Sequence, residues 1–327
     1  MDEAPGHVFG RALIYVLVFG LLAASWLASC AMWHYQRYAR DVAPPPPLVC
    51  EEPALVAVGT GSLHPNPSRL GPVLAFCRGE RVLLVDAGRA IAEALRRAAI
   101  PAEQPEALLL TSLLPETLVG LDDLLAARAA AGAGPLRLLG PAGTGDRLAE
   151  RLAALAPALR ERLGLAGDEG LRVAVLEVRE PRRERLGEIE LAAWPLPGAP
   201  VPALAYRLES AGFAVSIAGT RANAEDLVAD GRAGGPGVLV LPAVDRASVE
   251  LALEGAGEAE ATRLRSDLRV YPSFEEAADL ARATGAGALV LTRLVPPPLL
   301  DWQVRRRIRD RFPGPIEIPE DGDTITP

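Results

Sequence analysis

Lysine is missing from this sequence: all 34 basic residues are arginine. A GC-rich coding bias accounts for that more simply than selection for bidentate anion contacts. Histidine is nearly missing as well. His7 lies in the N-terminal tail, His34 beside a long apolar run, and His64 alone falls in the folded part of the chain. Zinc sites in hydrolases draw on about three protein ligands, mainly imidazole nitrogens, and leave one position open. One histidine in the domain therefore argues against a metal centre of that kind. Cysteine is equally scarce: Cys30, Cys50 and Cys77 have no metal-ligand spacing and make no disulfide framework. Positive charge is outweighed by 42 acidic residues, for a net charge of -8 and a pI near 5.2. Phosphate binding needs clustered cations, so this balance excludes nucleic acid as the expected partner.

What is present is apolar. Half of the 327 residues are hydrophobic and 23% are charged, the composition of a chain that folds around a sizeable core. After a tail at 1–11, residues 12–33 carry no charge, and about 22 helical residues reach about 33 Å, enough for the hydrocarbon core of a bilayer. We read residues 12–33 as a transmembrane anchor. A cleaved signal sequence and a lipoprotein signal are the alternatives, the latter because Leu27-Ala28-Ser29-Cys30 resembles a lipobox. Each reading puts the protein at a membrane. Arg11 precedes the run whereas Arg37 and Arg40 follow it, which leans toward a cytoplasmic C-terminal part. One large domain behind an N-terminal anchor leans the other way, toward the extracytoplasmic side, and we favour that. An exported domain would leave Cys50 and Cys77 free to pair. Residues 34–51 read as a juxtamembrane linker, with Pro44 to Pro47 as a stiff spacer. One α/β domain is expected over 52–327.

Within it, strands are expected at 55–58, 72–77, 81–85, 108–111, 136–139, 171–178, 187–194, 203–209, 213–218, 238–241 and 288–291, from apolar runs bounded by turn residues. Helices are expected at 89–98, 146–163, 274–284 and 300–312. The stretch 108–125 has the most chemical interest. Its apolar strand feeds Ser112-Leu113-Leu114-Pro115 and then a helix from Glu116 with apolar positions at Leu118, Leu121, Leu124 and Leu125. A strand end, a loop and a helix is where α/β folds place ligands. Here that loop holds one hydroxyl and two leucines. Hairpin-linked strands interspersed with helices predict a sandwich of two mixed sheets with helices outside.

Several landmarks in order resemble the metallo-β-lactamase-fold hydrolases, particularly the ribonuclease Z and arylsulfatase-like branch. They are 55–62 ending Gly59-Thr60-Gly61-Ser62, 81–88 ending Asp86-Ala87-Gly88, Leu109-Leu110-Thr111, Pro202 to Leu208, Ile217-Ala218-Gly219 and Leu289 to Thr292. The resemblance implies an αββα sandwich and a zinc hydrolase. The metal-ligand positions it implies fall at Ser112, Leu114, Glu116 and Thr117, near Pro197 and Thr220, and at Arg293. Only Glu116 among these keeps a ligating atom of the expected type. A His-Glu pair of the family aligns with Leu241-Pro242. Zinc is thus expected from the family while its ligands are absent.

Other residues admit two readings each. Arg293 either places a cation at the former metal position, paired with Glu116 or Asp86, or points to solvent at a strand end. Asp86 is a general base or caps the turn that it starts. Gly59-Thr60-Gly61-Ser62 is an anion cradle or a turn that the fold requires, and it lacks the Lys and length of a phosphate loop. Ser112 has no nearby histidine to activate it as a nucleophile. His64, Asp86, Glu116 and Arg293 are the expected residual cleft residues. Arg305, Arg306, Arg307, Arg309 and Arg311 on the last helix touch acidic lipid or form a solvated face. The expected function is a membrane-anchored pseudoenzyme that binds an unknown ligand or protein partner. The alternative is an active hydrolase of the same superfamily with an atypical metal site or a metal-independent mechanism.

Overall fold

A computed structural model describes residues 6–64, 66, 68–168, 170–228, 237–298 and 300–327. It divides into two compact units, Met1–Pro45 and Pro46–Pro327. The first is one helix, α1 (Gly6–Val42), of which Ile14–Tyr38 is long and apolar enough to cross a membrane, with a mean hydropathy of 2.0. The helix does not stop at Trp33, and the first part of the stretch read as a linker continues its turns through Val42. Arg37 lies over the Trp33 ring, 5.6 Å from its centroid, an i, i+4 contact that helical continuation makes available.

The second unit contains two seven-stranded mixed sheets. The first is ordered β14-β1-β2-β3-β4-β5-β6, from β1 (Cys50–Gly59), β2 (Val73–Gly79), β3 (Arg81–Val85), β4 (Ala107–Leu109), β5 (Leu136–Gly140), β6 (Val173–Glu177) and β14 (Thr324–Ile325). The second is ordered β13-β12-β11-β10-β9-β8-β7, from β7 (Arg182–Leu186), β8 (Ile189–Pro195), β9 (Leu204–Ser210), β10 (Phe213–Ala218), β11 (Val238–Val244), β12 (Ala288–Val295) and β13 (Ile316–Glu317). In each sheet, hairpin-linked antiparallel strands give way to a parallel set: β3 to β6 in the first, β10 to β13 in the second.

The two-residue alternation of a strand decides which layer each side chain enters. Along β1, Leu55 and Ala57 face the space between the sheets, where they meet Tyr206, Val215 and Val290. Val56 and Val58 face outward onto a second apolar layer. That outer layer is completed by α2 (Ile91–Arg97), α4 (Leu121–Ala130) and α5 (Thr144–Leu163). On the far side, α9 (Phe274–Ala283) and α10 (Asp301–Ile308) cover the second sheet through Phe274, Ala277, Ala281, Val304 and Ile308. Helix, sheet, sheet and helix layers follow, as expected. Cys50 and Cys77 form a disulfide between β1 and β2, with 5.9 Å between their Cα atoms, so β1 begins two residues inside the stretch assigned to the linker.

Two local departures matter for the site. The helix expected from Glu116 is broken into α3 (Pro115–Leu118) and α4, because the Gly120 backbone packs directly on Gly88 and donates to Ala87 O at 2.8 Å. Residues between β11 and α9 form a helical hairpin, α7 (Arg246–Gly255) and α8 (Glu258–Val270). Most of α8 is exposed and polar, and Ala261, Leu264, Asp267 and Val270 are what it buries, too narrow an apolar stripe to stand out in the sequence. A short helix, α6 (Ala224–Val228), and strands β7, β13 and β14 were also not anticipated.

Candidate functional site

The carboxyl ends of β3, β4, β10 and β12 converge at one edge of the sandwich, the position where open α/β sheets place their ligands. Asp86 follows β3 with a left-handed backbone, φ 63°, and is fully buried. Its carboxylate accepts from Thr111 N at 2.8 Å and from Thr111 Oγ1 at 2.8 and 3.0 Å. Its other partner is Arg293, which enters from β12 at φ 52° and forms a buried ion pair with Asp86 Oδ2. Arg293 also donates to Gly219 O at 3.0 Å, and its own N–H donates to Thr60 O at 2.8 Å. Gly219 must be glycine for this approach, since a Cβ there would overlap both Thr111 Oγ1 and the guanidinium. Burial pushes the Asp86 carboxyl above its usual range, against the opposing pull of Arg293 and the Thr111 donors.

A second buried contact lies beside this pair. Glu116, 5% exposed on α3, accepts at 2.6 Å from the hydroxyl of Tyr271, which immediately follows α8. Burial and then the Glu116 charge push the Tyr271 phenol well up, so it stays protonated and donates. The same end of α8 is tied down repeatedly. Thr220 Oγ1 donates to Val270 O at 3.0 Å, Arg221 reaches the carbonyls of Leu268 and Tyr271, and His64 Nε2 lies 2.6 Å from Asp267 Oδ2. Leu114 packs into the apolar cluster under the hairpin with Val249, Leu264, Val270 and Tyr271. The hairpin thereby covers the strand ends.

Of the four expected cleft residues only Asp86 and Arg293 are joined to each other; Glu116 and His64 each have a partner on the α7–α8 hairpin or just after it, Tyr271 and Asp267. Arg293 is buried and pairs with Asp86 instead of pointing to solvent, whereas Glu116 pairs with Tyr271 and not with Arg293. Ser112 and Thr117 are fully buried and hydrogen-bond locally: Thr117 Oγ1 donates to Ser112 O and Leu114 O. Pro197 lies elsewhere, exposed on the β8–β9 loop, where it lines a groove of about 480 Å³ with Pro141, Arg179, Val201 and Pro202. Gly59-Thr60-Gly61-Ser62 is a turn closed by the chain's own carboxylate: Asp321 accepts from Thr60 N and Oγ1, each at 2.8 Å, and from Leu70 N. Tyr271, Asp267 and Asp321 escaped the sequence reading. For Tyr271 a signal existed, the capping box Ser273/Glu276 that starts α9 and leaves Tyr271 in the connection. Nothing local points to Asp321.

These residues do not fit a zinc ion. Among the described residues no three His, Cys, Asp or Glu side chains come together as a metal-binding group. The group facing Asp86 is a guanidinium, a cation with donors and no lone pair to offer a metal.

No family model matches the chain. Among solved structures, the metallo-beta-lactamase fold protein YhfI from Bacillus subtilis superposes with a TM-score of 0.64 at 16% identity, over 84% of this chain and 100% of that one. The short form of human tRNase Z gives 0.62 at 17% identity, over 84% and 98%. The two sheets and their flanking helices thus define a metallo-β-lactamase fold. In sequence, a ribonuclease Z of Mycobacterium sp. (strain KMS) is 33% identical over 274 residues, 81% of this chain and 92% of the relative. The chain belongs to the ribonuclease Z family of metallo-β-lactamase-fold hydrolases.

Proposed function

We propose that this protein is a membrane-anchored member of the ribonuclease Z family that has lost zinc and hydrolysis and serves as a binding protein for a ligand or protein partner. The observation that carries the reading is the buried Arg293–Asp86 pair at the strand ends. Its charge is complete without a metal, and the adjoining Glu116 is already satisfied by Tyr271. A cleft stripped of metal but still lined by unpaired acids and imidazoles would strand desolvated polar groups at several kcal/mol. Ser112, Leu114 and Thr117 avoid that cost.

Metal analysis of the purified full chain tests the reading. Zinc far below one per chain, no hydrolysis of bis(p-nitrophenyl) phosphate and no cleavage of structured RNA are expected. About one or two tightly bound zinc ions per chain, the number hydrolytic sites hold, overturn it. Anchoring through α1 and an extracytoplasmic domain are part of the proposal. The apolar length of Ile14–Tyr38 supports the first, and the Cys50–Cys77 disulfide, a bond that persists in oxidising compartments, supports the second. A C-terminal alkaline phosphatase fusion is expected to be active in a bacterial host. A fusion that fluoresces only as a cytoplasmic green fluorescent protein reverses the orientation.

A further inference from the structure

Helix α10 and the turn after it carry five arginines between positions 305 and 311, and the fold uses two of them. Arg307 bonds Asp245 at 2.8 Å and Glu275, and lies over the Phe274 ring at 5.9 Å. Arg311 bonds Asp279 at 2.8 Å. Both reach back toward α9 and the start of α7, on the side where Val304 and Ile308 are buried. Arg305, Arg306 and Arg309 are exposed and have no hydrogen-bond or ion-pair partner among the described residues. Their spacing puts them on one helix face with Trp302, which is 54% exposed, at i, i+3, i+4 and i+7. Leu300, 47% exposed, is the residue just before the helix. Asp301 and Asp310 flank this stripe without pairing with it.

We propose that the Trp302–Arg305–Arg306–Arg309 stripe is a docking surface for an anionic phospholipid bilayer. Three guanidinium groups are left unpaired on a molecule with a net charge of -8, where acidic neighbours are plentiful and the adjacent Arg307 and Arg311 have found them. Guanidinium forks match phosphate oxygens bidentately. An indole beside them suits the headgroup level of a bilayer, where apolar ring and polar N–H are both accommodated. Exposed cations are each drawn to an anionic leaflet within about a Debye length, so three of them on one exposed face act together. The proposal rests on the anchor reading to the extent that α1 keeps a bilayer within reach; the surface chemistry stands without it.

The test uses the full chain as a Cys30→Ser/Gln303→Cys variant labelled with nitrobenzoxadiazole and reconstituted in nanodiscs. Emission is expected to rise by about twofold or more in discs containing phosphatidylglycerol over pure phosphatidylcholine, because position 303 lies beside the stripe and moves to the less polar headgroup level when the stripe docks. Arg305→Gln/Arg306→Gln/Arg309→Gln, or molar salt, is expected to abolish the rise. Equal emission in the two lipids, or a rise that survives the triple variant, overturns the proposal. So does a response to structured RNA with none to phosphatidylglycerol. If the unlabelled chain fails to co-float with pure phosphatidylcholine vesicles, the anchor reading falls by itself. Co-flotation of that free chain with phosphatidylglycerol vesicles then decides the stripe. Binding weakened on the order of a hundredfold by the triple variant supports it, and no binding overturns it.

Discussion

Arg293 is the residue on which the site turns. A guanidinium placed at a strand end reads from sequence equally well as a solvated charge, and only its burial, 3% exposed against a fully buried Asp86, gives it an energetic role. Removing one partner of a buried pair leaves the other charge uncompensated. Arg293→Ala is therefore expected to cost about 3–5 kcal/mol in chemical denaturation of the purified protein. Arg293→Leu combined with Asp86→Asn is expected to recover part of that loss, because neither charge then stands alone and Asn still accepts from Thr111. A loss under about 0.5 kcal/mol for Arg293→Ala, the range of ordinary surface changes, would show the pair to be solvated. The buried tyrosines give a pH signature. Burial raises the Tyr206 and Tyr271 phenols well above their usual range. Each keeps its proton in the fold, so the stability it contributes is fully present below about pH 10, the unfolded value, and declines as pH climbs above it. Absorbance of their phenolates is expected to emerge together with unfolding in an alkaline titration, and phenolate absorbance from either while the fold persists contradicts the assignment.

At the level of elements, the α7–α8 hairpin does what no local pattern announced. Its sequence is too polar to read as core, yet its C-terminal turn supplies Asp267, the Val270 carbonyl and Tyr271 to three separate partners from three other parts of the chain. Tyr271→Phe keeps the ring and deletes the hydroxyl, leaving a Glu116 oxygen buried and short of a donor. A loss of about 1–3 kcal/mol and faster amide hydrogen exchange across 258–271 are expected. Unchanged exchange there would mean that the hydroxyl does not hold the hairpin down. The β1–β2 pair has its own fastener. Cys50 and Cys77 close a loop of 27 residues, for which the chain-entropy model gives about 3–4 kcal/mol. Cys77→Ser is expected to lower the thermal midpoint accordingly, and dithiothreitol to have no further effect on that variant.

For the whole molecule, fold and chemistry separate. A metal-built site would couple ion binding to folding, so a chelator would destabilise the protein. Here stability is expected to come from three apolar layers and one buried ion pair. An excess of EDTA or dipicolinic acid is expected to leave the thermal midpoint of the purified protein unchanged, and a drop of several degrees would contradict the proposed loss of zinc. The sandwich was legible because apolar alternation and turn residues are local properties of strands, and because landmarks such as Val85-Asp86-Ala87-Gly88 and Leu109-Leu110-Thr111 recur in order along the chain. The missing imidazoles were legible by counting. Partners were not. Asp86 and Arg293 lie 207 positions apart, Tyr271 and Glu116 155, and Thr60 and Asp321 261. Strand and helix identity depends on neighbours along the chain, which composition and spacing record. Whether a charged side chain is solvated, paired or capped depends on which strand ends the two sheets bring together and on what packs over them, and that is a property of the folded molecule alone.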